Sequence, residues 1–309
     1  MSDIRTTAVL GAGVIGASWT ALFLAAGRSV AVFDPAPGAE EKVRDYIAGS
    51  WPALEELGLT YRATPEAVHF VDTPAEAVAD ADFVQENVPE RLPIKHRIYA
   101  EIETALSDDA ILSSSTSGLT LEALQAGWNN PAPLILGHPF NPPHLIPLVE
   151  LTANAATGAD VLKRTEAFYQ DIGKVTIRIH KGLPGHVANR LQAAVWREAV
   201  HLAIEGVASV QDIDKAMWAG PGLRWAAMGP TTLFHLGAGE GGLQAFCDHF
   251  KDTFNDWWDD LGTPRLDDET IARLVAGVTE HGPEETPQLL SEKRDRMLTA
   301  IQTALAQMR

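Results

Sequence analysis

Residues 6–34, TTAVLGAGVIGASWTALFLAAGRSVAVFD, narrow the folds open to this chain more than any other stretch. Thr6–Leu10 form a short apolar run of strand length, and Gly11-Ala12-Gly13-Val14-Ile15-Gly16 fits the pattern G-x-G-x-x-G. ASWTALFLAAG then reads as a helix stopped by Gly27, and SVAVFD as a second strand ending at Asp34. A strand, a glycine turn and a helix that feeds a second parallel strand make a βαβ unit, whose strands and helix must be covered by further elements on both faces. Residues 6–27 carry no charge and follow Arg5, which resembles a signal anchor. Gly11, Gly13, Gly16, Ser18 and Thr20 interrupt that run, so a buried strand-turn-helix is expected in place of a membrane segment.

The three glycines have separate physical tasks. Gly11 permits the tight turn, Gly13 lets the backbone approach a pyrophosphate, and Gly16 lets helix and strand pack closely. Val14 and Ile15 complete the turn, which opens a helix whose N-terminus faces the phosphates. Asp34 ends the next strand, 18 residues after Gly16, where a carboxylate accepts hydrogen bonds from the hydroxyls of an adenosine ribose. The same carboxylate repels a 2′-phosphate, and Pro35-Ala36-Pro37 supplies no arginine to receive one. The expected cofactor is therefore NAD.

Further strand-like runs occupy 67–72, 82–87, 110–114, 133–137 and 174–179, with charged amphipathic stretches such as 93–106 and 159–172 between several of them. Strands alternating with helices predict a mostly parallel, doubly wound sheet of Rossmann type. After HKGLPG (180–185) the pattern is helical almost to Arg309, broken at 220–222, 229–230, 237–242 and 263–268. The expected organisation is an α/β nucleotide-binding domain over 1–184 and an all-α domain over 185–309 that binds substrate.

A net charge of −17 speaks against nucleic acid and anionic membrane as partners and favours small or cationic ligands. The single cysteine, Cys247, leaves no internal disulfide framework and no cysteine-based metal cluster, which fits a cytoplasmic chain. No metal site is expected.

Residues 137–151, GHPFNPPHLIPLVEL, place two histidines among four prolines. Pro139, Pro142 and Pro143 exclude a helix and remove donors from a central strand, so this stretch is expected to be a loop held in one shape. His138 follows the run PLILG, whose C-terminal end opens on the crevice where doubly wound sheets hold ligands. An imidazole is suited to take a hydroxyl proton near neutral pH while a hydride leaves the same carbon. Glu150 could bond the other ring nitrogen, fixing the tautomer and stabilising the imidazolium as it forms.

Read together, GAGVIG, FVQENVPERLPIK, SSTSGL, GHPFNPPHLIPLVEL, PGHVANRL and GPGLRWAAMGP resemble the 3-hydroxyacyl-CoA dehydrogenase family over nearly the whole chain. Within it the chain most resembles the branch that contains lambda-crystallin and L-carnitine dehydrogenase. The resemblance implies a catalytic His138/Glu150 pair, with Ser117 and Asn189 as polar partners of the substrate oxygen. It also implies that Glu90, Lys95 and Asn141 lie against the nicotinamide half of NAD, and that the helical domain pairs with a second subunit to form a homodimer.

Two features bear on the substrate. Residues 38–67 carry six acids against Lys42, Arg44 and Arg62, an unfavourable surface for the several phosphates of a CoA thioester. Arg224, in GPGLRWAAMGP, offers a guanidinium fork for a carboxylate, and Trp196, Trp218 and Trp225 could face a quaternary ammonium. The expected activity is oxidation of a small L-3-hydroxy acid to its 3-oxo acid. A hydroxyacyl-CoA dehydrogenase and an NAD-binding protein without turnover are the alternatives.

Overall fold

The computed structural model describes residues 3–62, 65–281 and 286–308. Eight strands form one sheet: β1 (Thr6–Leu10), β2 (Ser29–Phe33), β3 (Val68–Phe70), β4 (Phe83–Glu86), β5 (Ile111–Ser114), β6 (Leu134–Pro139), β7 (Leu148–Thr152) and β8 (Val175–Arg178). Their order is β3-β2-β1-β4-β5-β6-β7-β8, and every neighbouring pair is parallel except the antiparallel pair β6–β7. Six helices are interleaved with the strands: α1 (Val14–Ala25), α2 (Ala39–Glu56), α3 (Pro74–Val78), α4 (Leu92–Ile102), α5 (Leu121–Gln125) and α6 (Val161–Asp171). Seven follow the sheet: α7 (Ala188–Ile204), α8 (Val210–Ala219), α9 (Pro221–Ala227), α10 (Pro230–Gly237), α11 (Gly242–Asp260), α12 (Asp268–His281) and α13 (Pro287–Met308).

The near-continuous apolar strands are explained by burial on both faces, because successive side chains point to opposite sides of the sheet. Val9, Phe83, Ile111 and Ile135 enter one core with Trp19 and Phe23 of α1 and Phe168 and Tyr169 of α6. Leu10, Val84, Leu112 and Leu134 enter a second core with Ile98 and Tyr99 of α4 and Leu124 of α5. The uncharged run 6–27 is β1, an interior strand paired on both sides, followed by α1, in which every residue from Gly16 to Ala25 is buried. Among the described residues no helix is long and apolar enough to cross a membrane.

The stretch 137–151 departs from the expected loop. β6 continues through His138 to Pro139, β7 begins at Leu148, and only 140–147 connects them. The reason that Pro139 is tolerated lies in the ladder. Phe140 donates its N–H to the Leu148 carbonyl, and antiparallel pairs alternate between bonded and non-bonded positions. That puts His138↔Glu150 at a bonded position and Pro139↔Val149 at a non-bonded one, where no N–H is needed. On its other side β6 pairs with β5 only as far as Leu136, so Pro139 faces no strand there.

By contacts the chain divides into Met1–Ala188 with Ser291–Arg309, and Asn189–Leu290. Against the expected division at 184/185, the last part of α13 therefore groups with the sheet: Thr299 is buried, and Gln302 donates to the Leu145 carbonyl at 2.7 Å. The second unit has a Phe234–Phe246–Phe254 cluster at its centre, with ring centroids 4.6 Å apart for the first pair. Among its described residues Val200 is the only apolar side chain fully withdrawn from solvent.

Candidate active site

At the turn into α1 the glycines are fixed by space. Gly11 has φ +83°, and a Cβ there would lie 2.8 Å from the Asn87 backbone; a Cβ on Gly16 would lie 1.9 Å from the Gly11 carbonyl oxygen. Gly13 meets nothing within 4 Å, so the backbone above the N-terminus of α1 stays open to a ligand, with Val14 exposed and Ile15 half-buried beside it. Asp34 is held by two backbone donors, Ala12 N–H at 2.6 Å and Ala36 N–H at 2.8 Å. It borders a cavity of about 690 Å³ whose walls also carry Glu40, Glu41, Asp45, Asp72 and Arg44. The one guanidinium is already bonded to Glu40 at 2.8 Å and lies over Phe70, which leaves a 2′-phosphate facing carboxylates. An open pyrophosphate cradle and an acid-rimmed adenosine cavity fit NAD.

The C-terminal end of β4 holds a group that the sequence reading passed over. Glu86 is fully buried, and its carboxylate accepts from Lys95 at 2.7 Å, Val88 N–H at 2.8 Å, Tyr99 at 2.8 Å and Ser114 at 2.6 Å. Lys95 is therefore not a lysine presented to a ligand. It is 1% exposed, neutralises Glu86, and reaches to 3.6 Å from Glu90. The available signal was an acid inside the apolar strand run 82–87, nine residues before a lysine. Glu90 accepts from the Thr116 hydroxyl and from the N–H groups of Ser117 at 3.0 Å and Gly118 at 2.7 Å. Partial burial opposes its charge, but the bonds from Thr116 and Gly118, with Lys95 nearby, hold its carboxyl below the usual carboxylate range. Ser117 is exposed beside it, and its hydroxyl has no partner among the described residues.

His138 and Glu150 face each other across the β6–β7 ladder, where directly opposed side chains share a face. His138 Nδ1 lies 2.8 Å from Glu150 Oε2; the two side chains are 8% and 1% exposed. The other carboxylate oxygen accepts the N–H groups of Val187 and Ala188, each at 2.9 Å, at the start of α7. An ionised carboxylate only accepts, so Nδ1 carries the proton and Nε2 keeps its lone pair. Burial lowers the pKa of His138, and the hydrogen bond it donates to Glu150 works in the other direction. The ring of His186 packs against that of His138, with centroids 4.8 Å apart.

The loop 140–147 is pinned from three sides. Ser18 of α1 accepts the His144 N–H at 2.8 Å and meets His144 Nδ1 at 2.9 Å. Lys174, fully enclosed, donates to the Pro143 carbonyl and to the Ile146 carbonyl at 2.9 Å, and Gln302 holds Leu145. Burial pushes Lys174 down to about 7, and burial together with Lys174 and Arg294 pushes His144 down to about 4. Asn141 stands exposed in this loop. The structure thus brings Ser117, Glu90, His138 and Glu150 together in the first unit, which also holds Asn141. Asn189, half-buried near the start of α7, and Arg224, exposed on α9, belong to the second; Arg224 forms no ion pair with any described residue.

A family model described as the NAD-binding domain of 3-hydroxyacyl-CoA dehydrogenase matches residues 6–182, and that family's C-terminal domain matches 185–268. An L-carnitine dehydrogenase from Nocardiopsis dassonvillei is 45% identical over 98% of this chain and 92% of its own length. One from Streptomyces coelicolor is 42% identical over 97% and 94%. Among solved structures, an NAD+-dependent 5-formyl-3-hydroxy-2-methylpyridine 4-carboxylic acid 5-dehydrogenase superposes with a TM-score of 0.85 at 30% identity, covering 98% of this chain and 99% of that one.

Proposed function

The chain belongs to the 3-hydroxyacyl-CoA dehydrogenase family and is an NAD-dependent dehydrogenase, and from that premise we propose that it oxidises L-carnitine, a small L-3-hydroxy acid, to the 3-oxo acid. The observation that carries the reading is the buried His138–Glu150 hydrogen bond, with the Nε2 lone pair left for a substrate hydroxyl. NAD, when bound, accepts the hydride of the carbinol carbon. Gly11, Gly13, Val14, Ile15, Gly16 and Asp34 hold it, and Glu90 and Asn141 line its reactive end. His138 Nε2 takes the hydroxyl proton, and Glu150 stabilises the imidazolium that forms. Ser117 and Asn189 hold the oxygen of the reacting carbon, and Arg224 takes the carboxylate.

The names of the relatives at 45% and 42% identity support a trimethylammonium on the substrate, and a net charge of −17 suits a cationic group. The second unit supports a homodimer. It buries almost no apolar side chain of its own while exposing Trp218, Leu236, Trp257 and Trp258, a surface that a second copy would cover. The exposed free thiol of Cys247 suits the reducing cytoplasm.

The test follows NAD reduction with L-carnitine, L-gulonate, L-3-hydroxybutyrate and L-3-hydroxybutyryl-CoA. Turnover of L-carnitine above the others, with at least about a 10-fold rise in KM for Arg224→Met, is the expected result. Turnover of only the CoA ester would move the chain to the acyl-CoA branch, and NAD binding without turnover of any acid would make it a binding protein.

A further inference from the structure

His186 is a buried imidazole that the reaction as written does not use. It is 6% exposed, its ring is tilted 39° against that of His138, and its backbone adopts φ +50°, a left-handed conformation uncommon for a residue with a Cβ. Its Nε2 lies 3.4 Å from the Thr116 carbonyl oxygen, and its Nδ1 is buried with no hydrogen-bond partner. A carbonyl can only accept, so Nε2 carries the hydrogen and Nδ1 is a lone pair without a donor beside the proposed base. Buried polar atoms are rarely left unpaired, and a catalytic role is one reason that they are.

The oxidation releases one proton per turnover, and the surroundings of His138 restrict where it can go. On the Nδ1 side Glu150 is 1% exposed and already holds two backbone N–H groups, so that side leads to no solvent. Of the other groups whose charge reaches His138, His186 packs ring against ring with it, and Glu90 has its carboxylate tied to Thr116 and Gly118.

We propose that His186 Nδ1 is the acceptor to which His138 passes the substrate's proton after hydride transfer. This rests on the reading of His138 as general base. In the first step the substrate O–H bond breaks, its proton forms Nε2–H on His138, and the hydride goes to NAD+. In the second step the His138 Nε2–H bond breaks and an Nδ1–H bond forms on His186. His186 then loses a proton to water and both rings return to neutrality, so each turnover yields one ketone, one NADH and one proton.

The test compares wild type, His138→Ala, His186→Asn and His186→Gln with NAD and L-carnitine, or whichever acid turns over. Asparagine tolerates the left-handed backbone and glutamine keeps a long polar side chain, and neither can be protonated. In the His186 variants the first-turnover burst of NADH is expected to stay within about 2-fold of wild type while kcat falls at least about 10-fold, with delayed proton release to an indicator dye. Added imidazole should restore kcat saturably. A kcat that is unchanged, or lowered without recovery by imidazole, overturns the relay alone. A wild type whose NADH formation does not depend on His138 overturns the relay together with the reading on which it rests.

Discussion

His138 and His144 stand at the two ends of one short segment and are equally withdrawn from water, at 6% and 5% exposure, yet their surroundings treat them in opposite ways. Burial depresses both. At His138 the bond to Glu150 opposes the effect, whereas at His144 the nearby cations Lys174 and Arg294 add to it and carry it to about 4. Ser18 accepts the His144 backbone N–H and offers its hydroxyl hydrogen to Nδ1, which a proton on that nitrogen would displace. Burial alone therefore does not make a base. The sign of the charge set beside a buried imidazole decides whether it can cycle its proton or is held neutral.

Removing the imidazole at each end should separate the two most widely. His138→Ala is expected to lower kcat/KM about 10³-fold with little change in thermal stability. Glu150→Gln keeps an acceptor for Val187 and Ala188 but removes the charge that supports His138. It should cost about 10²-fold, with the acid limb of the kcat/KM profile moving to lower pH. For His144 the readout is stability. Its folded pKa of about 4 lies below an unfolded value of about 6.5, so the unfolded chain binds the proton first. The contribution is intact above about pH 6.5 and is lost as pH falls toward 4. Between about pH 7 and pH 5 this removes about 2 kcal/mol, which denaturant titration of wild type against His144→Gln would measure as the difference in pH slope. The smallest effect is expected of Gln302→Ala, which releases Leu145 at the far side of the loop. It should cost about 1 kcal/mol and leave the His138 pH profile in place.

Local chemistry made much of this legible. The run 6–34 carried its own strand, turn, helix and strand because glycine sterics and continuous apolar burial act over neighbouring residues, and β1, α1 and β2 lie where that reading put them. Long-range registration was not legible. Pro139, Pro142 and Pro143 argued for a loop through 137–151, and only the β6–β7 pairing shows that Pro139 sits where a missing N–H costs nothing. Lys95 illustrates the same gap: its partner Glu86 lies nine residues away on a different element, and nothing local marks it as enclosed. His186 stood within a quoted motif but drew no reading, because its approach to His138 depends on a chain reversal 48 residues downstream that no periodicity reports.

The hairpin also separates two kinds of variation. His138 and Glu150 are held at their distance by a rung of the ladder, so the spacing between them does not depend on how the strands are joined. Residues 140–147 other than Asn141 and those that pin the loop can then change in composition without resetting the pair. A chain built this way keeps one proton chemistry as heritable hardware while its connecting segment diverges, and an engineer could graft loops there to retune recognition without rebuilding the base.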